Sequence, residues 1–242
     1  MLNSKLKYAQ EYESPYSLNE FPNNFPCDIS REVAYLWASR EIPKIEGGDW
    51  TEIFARLISG RRKSSSNGLD DVVLERTAWS TKAVDYDNPA EAQRVRLISG
   101  RNSPVYSFGD KQVSEVEPNE LGSKILNIWN ERVAAIKKNY LHMRTVVLLK
   151  SEDLLELVLF EFDTEIYPEE SFTWVWNKRG NLEGLDKRGT HRFTWQPHGS
   201  QFTILEDVPE KRLAIRIKAP SLLSREQVTG ALGFDRSWVE IL

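Results

Sequence analysis

Trp50, Ile53, Phe54, Leu57 and Ile58 recur at i, i+3, i+4, i+7 and i+8, the one-sided spacing of an amphipathic helix, and Gly60 follows as its stop. Val33, Leu36 and Trp37 predict a shorter helix starting at Ser30. Ile125, Ile128, Trp129, Val133, Ile136 and Tyr140 predict a long one over 124–140. Between these helices the period drops to two: Asp71–Glu75 and Ala78–Val84 suit the two strands of a hairpin turning at Arg76 and Thr77. Asn88 as a cap, Pro89 at the first helical position and Gly100 as a terminator predict a further helix over 89–100.

The second half of the chain is richer in strands, expected at 144–150, 154–163, 172–176, 192–195, 201–205 and 212–218 between Gly, Pro, Asp and Asn turns. The hexapeptide RLISGR occurs at Arg56–Arg61 and again at Arg96–Arg101, which reads as one helix-ending solution used twice. Residues 1–28, polar and carrying Pro15, Pro22 and Pro26, read as an extended arm, 61–68 as a basic loop and 102–123 as a loop. The order of elements predicts an α/β fold: a mixed sheet flanked by helices, with a β-rich C-terminal extension. A core over 29–165 and an extension over 166–242 would share one compact domain.

Composition narrows the class. The chain has 242 residues, 40% of them hydrophobic, a net charge of −4 and a single cysteine, Cys27. That is enough apolar surface for a sizeable core, and it excludes disorder, a disulfide scaffold and a cysteine-based zinc ribbon. No signal-peptide core and no membrane-length apolar run appears, so the expected setting is the cytoplasm, without a membrane. No phosphate-loop, GxGxxG, HExxH or GxSxG pattern occurs either.

The chemistry concentrates in Asn67–Glu91, NGLDDVVLERTAWSTKAVDYDNPAE. Strand alternation puts Ser80 and Lys82 on one face of the second hairpin strand, with Trp79 and Thr81 on the other. Asp71, at the mouth of the run Val72, Val73, Leu74, is placed to lie beside them; Asp70 is the alternative one residue away. In the predicted helix, Glu91, Val95 and Ile98 share a stripe, and a carboxylate there calls for a partner or a metal, although helix-start complementarity also suits it.

Asp71, then Ser80-Thr81-Lys82, then Glu91 resembles the PD-(D/E)xK nuclease superfamily, and within it the type II restriction endonucleases. The usual motif has Asp or Glu where this chain has Ser80, and a proline ahead of the first aspartate where Leu69 or Asp70 stands. Some members carry Ser-x-Lys and take the missing carboxylate from the next helix, a part that Glu91 would play. The resemblance spans roughly residues 45–100. It implies a restriction-endonuclease-like core in which Asp71 and Glu91 hold Mg²⁺, assisted by a backbone carbonyl near Thr81. Lys82 orients the attacking water and stabilises developing charge, and Glu46, from the preceding helix, adds a further acid. Phosphodiester hydrolysis requires such a set: a hard cation on carboxylate oxygens and a positive group at the phosphate.

Two basic groups suit a duplex DNA partner. Lys178, Arg179, Asn181, Lys187, Arg188, His191, Arg192, Gln196, His198 and Gln201 combine phosphate-binding and base-reading side chains. Arg61, Arg62 and Lys63, with Arg94, Arg96 and Arg101, flank the hairpin in sequence. A twofold dimer would match a symmetric DNA site. Against the nuclease stand two other readings. A serine hydrolase using Ser80 and Lys82 would need a neutral lysine, which nearby acids oppose. A binding module without catalysis would use the same charges only for contact.

Overall fold

The computed structural model describes residues 12–40, 42–64, 68–109, 113–219 and 221–242. In chain order these form α1 (Phe25–Ser39), α2 (Gly47–Leu57), β1 (Arg61–Arg62), β2 (Val72–Leu74), β3 (Thr77–Asp85), β4 (Arg94–Arg101), α3 (Pro104–Phe108) and α4 (Pro118–Lys137). There follow β5 (His142–Lys150), β6 (Glu156–Asp163), β7 (Phe172–Trp176), β8 (Leu182–Asp186), β9 (His191–Gln196), β10 (Gln201–Asp207), β11 (Leu213–Arg216) and α5 (Arg225–Ala231). No helix among the described residues is long and apolar enough to cross a membrane.

The result is a mixed α/β architecture with two sheets. The first has the order β1-β2-β3-β5-β6-β11 and is mixed; the second, β4-β10-β9-β8-β7, is antiparallel throughout. Within the first sheet β2 and β3 form the expected hairpin, and β3 runs parallel to β5 over Thr77–Asp85 against His142–Lys150. A parallel neighbour requires a long crossover, and this one contains β4 and α4. Strands also cross the expected subdomain boundary at 165: β4 lies in the second sheet and β11 in the first.

Alternation decides what each face of the first sheet buries. Val72, Trp79, Val146 and Leu148 pack against α1 and α2 through Ile29, Val33, Trp50 and Phe54. The other face presents Val73, Ala78 and Met143 to Ile125, Trp129, Val133 and Ile136 of α4, whose remaining surface meets Trp174, Phe193 and Phe202 of the second sheet. Beyond the helix the sheets touch directly, with Val95 and Leu97 of β4 on Val147, Leu149 and Phe160.

Glu161 anchors the N-terminal arm on the α1 side. Its Oε1 accepts from the Trp79 indole and the Tyr16 hydroxyl, both at 2.7 Å, and its Oε2 accepts from the Arg144 guanidinium at 3.1 Å. Burial, and then the Glu161 charge, hold the Tyr16 phenol well above its ordinary range, so it remains a donor. Asn19 completes the clasp by bonding both backbone groups of Glu161.

Several expectations need correction. No helix spans 89–100: a single 3-10 turn, Pro89–Glu91, leads directly into β4. Consequently the repeated hexapeptide takes two conformations, a helix end at Arg56–Arg61 and a strand at Arg96–Arg101. In the second copy Leu97 and Ser99 are buried while Arg96 and Ile98 face outward, a period of two that pairing with β10 enforces. The arm ends earlier than residue 28, because α1 begins at Phe25 with Pro26 in its first turn. α4 starts at Pro118 instead of 124, with the Glu117 side chain accepting from Glu120 N–H. β1, α3, β8 and α5 are additional, β1 taking the first two residues of the expected basic loop. Residues 65–67 of the basic loop and 1–11 of the arm lie outside the described residues.

Candidate active site

The β2–β3 ladder ends at Val72 opposite Trp79. One step further, Asp71 turns its side chain into the position the next ladder acceptor would occupy, and its Oδ2 accepts from Thr81 N–H at 2.9 Å. The same oxygen lies 3.4 Å from Ser80 Oγ and 3.5 Å from Thr81 Oγ1. Ser80 Oγ also reaches the Gly68 carbonyl at 3.3 Å, where a left-handed backbone (φ 61°) bends the chain into the strand. Thr81 Oγ1 meets Thr51 Oγ1 of α2 at 2.6 Å, tying the strand to the helix behind it.

Of the two adjacent aspartates, only Asp71 takes part. Asp70 is buried, and its Oδ2 is paired with Lys63.

Lys82 lies two residues beyond Ser80 on the face toward α4 and is partly buried. Burial lowers its pKa below the ordinary 10.5; Asp71 acts to raise it and Arg132 to lower it further. Arg132 extends from α4 into the same space. Its Nη1 donates to the Ser99 carbonyl at 2.8 Å; burial lowers its pKa, and Asp71 opposes that. The centre therefore joins three elements: the Asp71–Ser80–Lys82 edge of the first sheet, Arg132 of α4, and the Ser99–Gly100 end of β4.

Sequence reasoning passed over Arg132, although a signal was there. Ile125, Trp129, Val133 and Ile136 define the buried stripe of α4, and Arg132 falls at i+7 from the first and i+3 from the second. A guanidinium on an apolar stripe is a cost to folding that asks for a reason.

Glu91 is not brought to this centre. In its 3-10 turn it is exposed and lines a surface recess with Asp85, Tyr86, Asp87 and Asn88, beyond the C-terminal end of β3. Its expected place on a core-facing stripe disappears with the helix. Glu46 is the N-cap of α2, its backbone N–H donating to Asp49 Oδ2 at 3.0 Å, and borders a recess with Ala83 and Asp85 on the opposite face of the sheet from Lys82.

Asp71 is thus the carboxylate of the centre, and among the described residues no group of three acidic, histidine or cysteine side chains is arranged to hold a metal ion. The donors present still suit Mg²⁺, which is commonly held by one or two carboxylates while water and substrate phosphates complete its shell. Asp71 would supply the carboxylate. By strand geometry the Thr81 carbonyl lies on the same edge of β3 as its N–H, next to Asp71.

The expected DNA-contacting residues divide by position. The registers bring Arg101, Gln201 and Gln196 to one end of the second sheet, together with His198 in the β9–β10 turn and Lys178, Arg179 and Asn181 in the β7–β8 turn. This is the end at which Ser99 meets Arg132. Lys178, Arg179, Asn181 and His191 line a recess of about 370 Å³ with Arg96. Lys187 and Arg188 are exposed at the opposite end, in the β8–β9 turn. Others are held by the fold: Arg192 pairs with Glu206 at 3.0 Å, Arg62 with Glu52 and Lys63 with Asp70, while Arg94 bonds the His191 carbonyl and pairs with Asp207 at 3.3 Å. Arg61 is exposed on β1.

Comparison with protein-family models, with curated proteins and with solved structures found no match to this chain.

Proposed function

We propose that the protein is a Mg²⁺-dependent endonuclease of double-stranded DNA, of the type II restriction enzyme kind and acting as a twofold dimer. The observation that carries this reading is the meeting of Asp71 and Lys82 at the edge of β3 where β2 has ended, with the Asp71 carboxylate fixed by Thr81 N–H. Asp71 and the Thr81 carbonyl would hold the ion. Bound there, Mg²⁺ would lower the pKa of a coordinated water and neutralise phosphate charge. Lys82 directs an ammonium N–H toward the water that attacks phosphorus and stabilises the charge gathering on the phosphate. Its partly desolvated setting strengthens that interaction. As the water oxygen bonds phosphorus it gives up a proton to solvent, the P–O bond to the leaving sugar oxygen breaks, and that oxygen takes up a proton from solvent.

A second reading, a DNA-binding module without catalysis, is favoured by one feature. Ser80 occupies the position where the superfamily has an acid, and Glu91 faces elsewhere.

The two separate in one experiment. Purified protein is incubated with unmodified DNA of varied origin in Mg²⁺, beside an EDTA control and Lys82→Ala. Discrete fragments that vanish in both controls are expected. Intact DNA on every substrate, with binding retained, would replace the nuclease with the binding module.

A further inference from the structure

We propose that residues 222–241 form the surface through which two copies of this chain associate; the proposal gives the twofold dimer named above its interface and rests on that part of the reading alone. The segment is well specified locally. α5 opens on a capping box, with Ser224 N–H donating to Gln227 Oε1 at 2.8 Å and Gln227 N–H to Ser224 Oγ at 3.2 Å. It closes at Gly233 in a left-handed backbone (φ 69°), where Phe234 N–H reaches back to the Thr229 carbonyl at 3.0 Å. Asp235 then caps the turn Arg236–Trp238 by accepting from Ser237 N–H at 2.6 Å. Tertiary support from the single chain is thin, since no residue from 221 to 242 is buried. A helix of seven residues is too short to hold in water by its own hydrogen bonds. Its order calls for an apolar cover.

Leu222, Leu223, Leu232, Phe234, Trp238, Val239 and Ile241 are between 48% and 95% exposed. Together they present on the order of 800 Å² of apolar surface, about what each partner contributes to a stable interface and more than a monomer ordinarily leaves open. Phe234 and Trp238 stand out as an exposed pair, edge to face at 5.6 Å. Beside α5 lies a recess of about 520 Å³, walled by Trp37 and Ala38 of α1 and by Leu222, Leu223 and Val228; the aromatic pair is not part of its lining. One chain thus carries both an aromatic knob and an apolar recess. A twofold axis sets a surface against the same surface of the other copy, so the knob of each is offered to the recess of the other. Charge agrees, because Arg225, Glu226, Asp235, Arg236 and Glu240 mix both signs along the segment. Such a stretch has no positive excess to draw DNA, whereas both signs on each copy let opposite charges meet across the axis.

The test is sedimentation of the full chain from about 0.1 to about 50 µM, the weak end of the range for interfaces of this size. Wild type is expected to run as a dimer at the top of that range. Phe234→Ala with Trp238→Ala removes the knob, and Leu223→Glu sets a charge in the recess; each is expected to raise the dimer Kd at least tenfold. All three positions are exposed, and an unchanged melt of the core, followed by circular dichroism, confirms that the variants fold. Ile98→Ser, exposed on the second sheet, is the control and should leave the Kd where it was. Mixing the knob variant with the recess variant should restore part of the association, because the mixed dimer keeps one intact knob facing one intact recess. No gain on mixing would overturn that pairing. A wild-type dimer that both variants retain would overturn this surface and leave the twofold dimer and the nuclease reading standing. A wild type that stays monomeric throughout would overturn surface and dimer together and leave the patch to a different protein, while cleavage in Mg²⁺, measured separately, would still decide the nuclease.

Discussion

Asp71 Oδ2 accepts the backbone N–H of Thr81 at 2.9 Å, and this bond stands where the β2–β3 ladder stops. A side-chain carboxylate thus replaces a strand, satisfying a donor that would otherwise lie open at the sheet edge. Past this point β3 has no paired strand on that side among the described residues. Asp71 and Asp70 therefore have different consequences when altered. Asp71→Asn should abolish Mg²⁺-dependent cleavage while changing the melting temperature little, because the amide oxygen can still accept from Thr81. Asp70→Asn should cost about 1–2 kcal/mol by weakening the pair with Lys63 while leaving cleavage in place. Gel assays beside thermal melts decide this, and loss of cleavage in both variants would mean that the assignment to Asp71 is wrong.

Lys82 should carry a measurable stability penalty. Its pKa in the folded protein lies below the ordinary 10.5, so the unfolded chain binds more protons in the interval between the two values. Stability from this group is then fully present above 10.5 and is lost as pH falls through the lowered folded value. Lys82→Met should be more stable than wild type at the low-pH side of that interval, with a gain that shrinks as pH climbs toward its top. Melting temperatures across the alkaline range measure it; a gain that grows with pH would contradict the sign.

Glu161 sits under the arm with Tyr16, Trp79 and Arg144 as its donors. Glu161→Gln keeps the size but turns an amide N–H₂ toward donors and leaves the Arg144 charge buried without its counter-ion. The expected loss is about 3 kcal/mol, which for a chain of this length corresponds to a fall of about 6–12 °C in Tm. Limited proteolysis should then cut first in the arm. A variant that melts with wild type would show that the clasp contributes nothing.

Gly122 is the point where α4 touches Trp174, and an added Cβ would overlap the indole. The near neighbour is a core ring, buried among Phe193 and Leu182, and not the end of a flexible side chain. Gly122→Ala should therefore destabilise by about 2–3 kcal/mol through overpacking, despite the better helix propensity of alanine. Gly230, in the exposed α5 with open space at its Cβ position, is the control: Ala there should be neutral or slightly stabilising. Equal effects at the two sites would refute the packing argument.

Much of the fold was legible along the chain because it rests on local period. The stripe Trp50, Ile53, Phe54, Leu57 marks α2; the alternation around Trp79 marks β3, and with it the shared face of Ser80 and Lys82. Those patterns record which side of each element meets the core, and burial enforces them at every turn. The hexapeptide RLISGR shows the limit. Its apolar positions satisfy a helix end and a strand equally well, and only pairing with β10, about a hundred residues further on, makes the second copy a strand. With that helix went the expected place of Glu91. Arg132 could be suspected from its position on the stripe of α4, but not its target, since nothing local specifies that α4 crosses between the sheets and reaches Asp71. The sequence by itself determined the periodic elements and the shared face of Ser80 and Lys82, with Asp71 or Asp70 beside them. Tertiary structure alone decided which distant elements complete that group, because strand pairing and interlayer packing are set by free energies summed over the whole core and leave no period in the segments they join.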